Sequence, residues 1–313
     1  MEKNVNKKIG KGEELMQSLY ENCRLCGREC GIDRTKGNVG VCKMTDKMKI
    51  ARASLHRWEE PPVSAVNGSG TVFFTGCSLG CVFCQNRDIS RGGFGREVTP
   101  RELSDIFIKL QNEGAHNINL VTPTHYAPGI REALILAKSR GLSVPIVYNT
   151  ASYDSVSTLK MLDGIVDIYL PDFKYLYEKT AAEYSSAGNY TKVAKEAIRE
   201  MYRQSGSPVI ENGIMKKGII ARILLLPNHI AEAKLILKYL YSEYGDGIYI
   251  SLMNQYTPMP NMKSPLDRKV THAEYRELVG YAERLGVKNC FIQEFGTASE
   301  SFIPQFDLSG VDK

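Results

Sequence analysis

The sequence predicts an α/β fold, with parallel strands and helices in alternation forming a barrel or open barrel behind a short cysteine-rich segment. Three observations carry this. Beyond residue 70, short apolar runs alternate with stretches whose apolar residues recur at helical spacing. Capping sequences and glycines punctuate the helical stretches. Residues 1–62 lack that rhythm and hold four of the eight cysteines.

The elements follow in order. Residues 71–74 (Thr-Val-Phe-Phe) read as a strand that runs straight into a cysteine loop. Thr99-Pro100-Arg101-Glu102 is a capping box with proline at the first helical position, and Leu103, Ile106, Phe107 and Leu110 make one apolar face before Gly114. A strand at 118–121, a helix at 130–140 ending on Gly141, and a strand at 145–148 come next. A helix at 154–162 stops at Gly164, and a strand covers 165–170. A helix at 191–204 precedes a β-branched and leucine-rich run at 219–226, then a helix at 230–244 and a strand at 248–252. Thr271-His272-Ala273-Glu274 caps a last helix ending on Gly286, before a strand at 289–293. Strands separated by helices of this length imply right-handed βαβ units. Six or seven such units suit a barrel better than a flat doubly wound sheet. The expected division is 1–62, a four-cysteine metal-binding segment and linker, and 63–313, the barrel. So short a segment cannot build an adequate core without a metal.

Composition narrows the class. With 43% hydrophobic and 24% charged residues the chain is no disordered protein. A net charge of +5 over 313 residues makes no case for nucleic acid or an anionic membrane. No secretory signal and no membrane-length apolar run is present, so the chain reads as cytoplasmic, where clustered thiols bind metal or do chemistry.

Seven cysteines form two sets. Cys23, Cys26, Cys30 and Cys42 are separated by two, three and eleven residues; Cys77, Cys81 and Cys84 by three and two. Cys290, alone in an apolar run, is expected as a buried core thiol. The first set offers four thiolates, either for zinc or for a [4Fe–4S] cluster; its gaps match neither zinc ribbons nor the bacterial ferredoxin run. The second has no fourth ligand and no nearby histidine. Three-cysteine ligation suits a [4Fe–4S] cluster with one open iron. The loop also leaves the carboxyl end of a strand, where βα-barrels place active sites. Phe83 stands ready to offer its ring to a planar group near the cluster.

Cys77-x3-Cys81-x-Phe83-Cys84 after a first strand resembles the motif of the radical S-adenosylmethionine (SAM) superfamily. The wider run Thr75 to Asn86, the stretch Asn117 to Tyr126, and Tyr169 to Lys174 resemble its pyruvate formate-lyase-activating-enzyme-like branch. That likeness implies a partial (β/α)6 TIM-like barrel, a [4Fe–4S] cluster on Cys77, Cys81 and Cys84, and SAM chelated by the open iron. It implies an oxidoreductase-type enzyme: one electron cleaves the sulfonium, and the 5′-deoxyadenosyl radical takes hydrogen from a substrate. It also implies an electron donor such as flavodoxin or ferredoxin and, for the activating-enzyme branch, a glycyl radical enzyme as partner.

The resemblance places further SAM contacts one position at a time. Relatives carry a Gly-Gly-Glu-type segment after the second strand; here Thr122-Pro123-Thr124-His125 stands instead, making Thr122, Thr124 and His125 candidates. Asn149 occupies the place of an acid near the SAM carboxylate. Lys174 is expected on that carboxylate and Asp172 on a cation or the ribose. Asn86 and Phe83 belong to the cluster loop. A later histidine of activating enzymes is absent, leaving Gln255 or Tyr256 in its place.

Plainer readings stand beside these. Asp172 and Lys174 read equally as a solvated pair, and His125 as a hydrogen-bonded loop histidine. Glu59-Glu60 reads as an acidic linker, with Glu59 also within reach of the active face. Trp58 is expected as a packing anchor between segment and barrel. Two other functions remain: modification of a small molecule or peptide, and a non-catalytic iron–sulfur or zinc carrier or scaffold.

Overall fold

Seven parallel strands are the frame of the molecule: β2 (Ser69–Phe74), β4 (Ile118–Val121), β5 (Ile146–Thr150), β6 (Ile168–Pro171), β8 (Ile214–Leu224), β9 (Tyr249–Met253) and β10 (Cys290–Ile292). The computed structural model describes residues 17–295 and 304–311. Every strand expected from the sequence is present, close to its expected position. Three more were not foreseen. β1 (Met48–His56) pairs antiparallel with β2 and with β3 (Arg96–Val98), and β7 (Val209–Glu211) makes a hairpin with β8. The strand order is β10-β9-β8-β6-β5-β4-β2-β1-β3, and β3 and β10 are its two ends. The sheet is open.

Helices cover the connections: α1 (Pro61–Ser64), α2 (Arg87–Ser90), α3 (Pro100–Asn112), α4 (Ala127–Ser139), α5 (Val156–Met161), α6 (Glu178–Ser185), α7 (Tyr190–Ser205), α8 (Ile230–Tyr244) and α9 (His272–Leu285). None among the described residues is long and apolar enough to cross a membrane. Both capping boxes form. The Thr99 and Thr271 hydroxyls accept the amides of Glu102 and Glu274, whose carboxylates accept the cap amides in return. Gly286 closes α9 in the left-handed region at φ 77°.

Strand alternation explains the core. On the helix-facing side, Leu120, Tyr148, Tyr169, Ala221 and Ile250 are fully buried beneath α3 to α9. On the other side Val147, Ile168, Leu170 and Ile220 pack with Val63 of α1 and Met215 into a small apolar plug. Successive residues of a strand point to opposite faces. Two residues beyond that plug, Asn149, Asp172 and Arg222 therefore lie on the same inner side, at the carboxyl ends of β5, β6 and β8. The plug closes one end and leaves the polar end open.

Trp58 is not the packing anchor expected of it. It is 66% exposed, at the rim of the cavity described below. Cys290 is only half-buried against the main core, although burial still pushes its thiol up to about 11.

Leu120 is fully buried in the centre of the sheet. Leu120→Ala is expected to lower unfolding stability by about 2–5 kcal/mol, read from the shift of the urea midpoint.

Candidate active site

The strand ends surround a cavity of about 650 Å³. All three cysteines of the second set line it, with Asn149, Asp172 and Lys174 across from them. The loop that carries the thiols begins at Gly76, whose φ of +89° suits glycine, and whose missing side chain leaves room for Met44 and the Cys42 carbonyl. The Gly76 amide donates to Ile89 O at 2.9 Å, and Arg91 donates to Gly80 O at 2.5 Å, closing the loop on α2.

Each sulfur has a donor aimed at it. The Gly80 amide reaches Cys77 Sγ at 3.4 Å, the Ser185 hydroxyl Cys81 Sγ at 3.1 Å, and the Ser90 hydroxyl Cys84 Sγ at 3.4 Å. Burial pushes the Cys77 thiol up to about 11, and the charges of Cys84 and Cys81 push the same way. The Cys84 thiol is also raised by burial, with Ser90 and Lys174 pulling against it. Burial holds Cys77 and Cys84 against ionising unless a cation joins them, which is the work of a metal group. Hydrogen bonds to sulfur are also the usual way a protein tunes an iron–sulfur cluster. Among the described residues no three Cys, His, Asp or Glu side chains converge at single-ion distance. A cluster with its own sulfides needs a ring of thiols instead, and the donor set here fits one.

Across the cavity Arg222 is the hub. Its Nε donates to Asp172 at 2.6 Å, Nη1 to Glu59 at 3.2 Å and Nη2 to Asn149 Oδ1 at 2.6 Å. Lys174 Nζ donates to the other Asp172 oxygen at 2.7 Å, and Asn119 to Glu59 Oε1 at 3.0 Å. Glu60 lies 3.9 Å from Arg222 with a buried Oε2 that no described donor reaches. Burial raises the Asp172 carboxyl, but Arg222 and Lys174 outweigh it and hold that group below the usual range. Burial raises Glu60, and Arg222 only partly offsets it. The cavity thus presents both cations and buried carboxyls, a surface suited to a zwitterion with hydroxyls.

The expected residues divide. Thr122, Asn86, Asn149, Asp172 and Lys174 line the cavity. Phe83 reaches it too, but its ring is held edge-on between Tyr175, Tyr184 and Tyr256, with centroids 6.0–6.4 Å away. Gln255 lines it and accepts from Gln293 at 2.9 Å. Two residues do not meet the cavity. Thr124 is buried beside the Thr150 hydroxyl at 3.4 Å, within a group that includes Asp154. His125 is buried behind the loop, its Nε2–H donating to Thr75 O at 2.7 Å, because a carbonyl can only accept. Burial first, then the charge of Arg34, lowers His125 to about 3, so it stays neutral.

Arg222 escaped the sequence reading, and Glu60 was read only as linker. A charge at an inward position of the apolar run 219–226 was the available signal for Arg222. Glu59, read mainly as linker, is a full member of the ion network.

The family description "Radical SAM superfamily" matches residues 71–232, just over half of the chain and including the loop and the strand ends above. The chain belongs to the radical SAM superfamily. This radical SAM chain is 28% identical over 284 residues to "Uncharacterized protein MJ0674" of Methanocaldococcus jannaschii, covering 87% of this chain and 77% of that one. Among solved structures, it is similar to Streptococcus suis SuiB bound to the precursor peptide SuiA, at TM-score 0.50 and 15% identity, over 71% of this chain. It spans about half of that protein, 47% of its length. A methylornithine synthase, PylB, matches at TM-score 0.46 and 17% identity over 69% of this chain and 68% of its own.

Arg222→Met strands buried carboxyls, and the expected loss of stability at neutral pH is about 3–5 kcal/mol. The sign with pH follows from Glu60. A carboxyl raised on folding favours the folded state at low pH, and that contribution is lost as pH climbs from the ordinary carboxylate value through the raised one. Without Arg222 that loss deepens. The melting-temperature deficit of Arg222→Met should therefore be larger at pH 8 than at pH 5; an equal deficit would place the carboxyls elsewhere.

Proposed function

We propose that the protein is a radical SAM enzyme that draws a hydrogen atom from a polypeptide substrate. The single observation that carries the enzyme reading is the placement of Cys77, Cys81 and Cys84 on one wall of a cavity whose other wall holds Lys174, Asp172 and Asn149. When bound, a [4Fe–4S] cluster and SAM supply one-electron cleavage of the sulfonium and a 5′-deoxyadenosyl radical. The chain's own residues do the rest. Cys77, Cys81 and Cys84 would hold three irons. Lys174 carries the positive charge that a SAM carboxylate needs, and Asp172 keeps it protonated and aimed at 2.7 Å. Asn149 and Thr122 offer neutral hydrogen bonds beside it. Phe73, Leu79 and Phe83 exclude water from the thiol side, which protects a reactive radical.

The rim supports the polypeptide reading. Trp58 and Ile292 both line the mouth at 66% and 48% exposure, an apolar edge suited to a chain segment. Within that class, the runs Thr75 to Asn86 and Tyr169 to Lys174 favour activation of a glycyl radical enzyme, with flavodoxin or ferredoxin as electron donor. Modification of a peptide is the second reading, favoured by the same rim.

Reconstituted anaerobically, reduced with dithionite and given SAM, the protein is expected to form 5′-deoxyadenosine, and Cys77→Ala to form none. Equal yields from both would defeat the enzyme reading. Lys174→Met is expected to keep its cluster absorbance but weaken SAM binding by about tenfold to a hundredfold, the loss of one charge-assisted contact at roughly 1.5–3 kcal/mol. Mixing with the host's glycyl radical enzymes then separates the two substrate readings: a glycyl EPR doublet supports activation, and its absence across the set supports a peptide.

A further inference from the structure

The four-cysteine segment is not used by the chemistry above, yet it is packed directly onto the cluster loop. Cys23, Cys26 and Cys42 are buried and Cys30 is half-buried, all as free thiols. The Glu29 amide donates to Cys26 O at 3.0 Å, and Gly40, two residues before Cys42, leaves room for Cys30 Sγ, which a side chain there would meet at 2.8 Å. Backbone bonds from the Cys23 amide to Ile32 O at 3.0 Å and from the Gly31 amide to Cys23 O at 2.9 Å fold the chain back on itself. The stretch from Cys23 to Ile32 is thereby folded on itself, with Gly40 packed against Cys30.

An independent observation points to a ligand there. Arg34 is fully buried, and among the described residues no carboxylate lies within ion-pair distance of it. Its donors reach His125 O at 2.7 Å, Met44 O at 3.1 Å, the Thr45 carbonyl, and Cys23 Sγ at 3.6 Å. Carbonyls satisfy the hydrogen bonds but not the charge. Its ring neighbours, Tyr20 at 4.9 Å and Tyr126 at 5.8 Å, contribute weakly. A buried guanidinium needs an anion. Four thiolates around a doubly charged metal group leave the net negative charge that Arg34 lacks.

We propose that Cys23, Cys26, Cys30 and Cys42 bind a second, closed all-thiolate metal centre, with Arg34 as its buried counter-charge, and that this centre braces the Cys77–Cys84 loop. The brace is visible. Arg28, inside the segment, donates to Ser78 O at 2.9 Å, Leu79 O at 3.1 Å and Ser185 O at 2.6 Å. Cys42 O lies where a side chain on Gly76 would meet it at 3.0 Å, one residue before Cys77. Four thiols serve zinc and an iron–sulfur group alike, so metal analysis decides between them.

The test uses the full chain with Cys77, Cys81 and Cys84 all changed to alanine. About one zinc, or about four irons with matching sulfide, should remain per chain and be lost when Cys26→Ser and Cys30→Ser are added. Folded protein with neither metal would overturn the proposal. Should that variant fail to fold, alkylation of the otherwise unaltered protein decides: Cys23, Cys26, Cys30 and Cys42 should resist iodoacetamide until a chelator is added, and equal labelling before and after would overturn it. For the brace, Arg28→Met should lose its cluster absorbance in air several-fold faster than wild type while keeping the second metal, with Arg28→Lys intermediate. Unchanged cluster lifetime would remove the brace from the account.

Discussion

A buried guanidinium must be compensated, and the way Arg222 meets that requirement organises the active end of the molecule. One side chain from β8 gathers Asp172 from the end of β6, Asn149 from β5 and Glu59 from the turn after β1. Through Glu59 it also holds Asn119 of β4. Five segments far apart in sequence are thereby set at one depth. Buried ion networks are costly to assemble and rigid once satisfied. The benefit is an unmoving wall facing the three thiols, with Lys174 oriented by the same carboxylate that Arg222 holds.

The same economy of charge recurs on the opposite side of the loop. Arg34 is a second buried guanidinium, but its described partners are carbonyls and a thiol. Arg222 lines the cavity that the Cys77–Cys84 loop also lines, and Arg34 donates to the carbonyl of Met44, whose side chain packs against Gly76 at the start of that loop. The loop is therefore shaped from both faces: by Arg28 and Met44 behind it, and by Phe83 among Tyr175, Tyr184 and Tyr256 in front.

Features governed by local rules were legible in the sequence. The Thr99 and Thr271 capping boxes, the period of α3 and the glycine stop at Gly286 depend on neighbours within a few residues, and all appear. The cysteine spacing was legible because a short loop around a cluster permits few arrangements. What escaped depends on distant partners. β1 carries no helical rhythm and is a strand because β2 lies beside it. Arg222 is the one charge in the run 219–226, and only the register with Asp172 shows why it is there. His125 was a reasonable candidate by position, but the short turn at 124–126 tucks it behind the cysteine loop against Thr75. Trp58 read as a packing residue because it is large and single, whereas its place beyond β1 leaves it at the mouth.

The most direct test of SAM binding beside Lys174 and Asp172, at a cluster that Cys77, Cys81 and Cys84 would hold, is the EPR spectrum of the reduced, reconstituted protein before and after SAM is added. Coordination of SAM to one iron of a cluster on Cys77, Cys81 and Cys84 predicts a clear change in the g-values, and Lys174→Met should need more SAM to produce it. A fully reduced [4Fe–4S] signal that stays the same at saturating SAM would contradict the account.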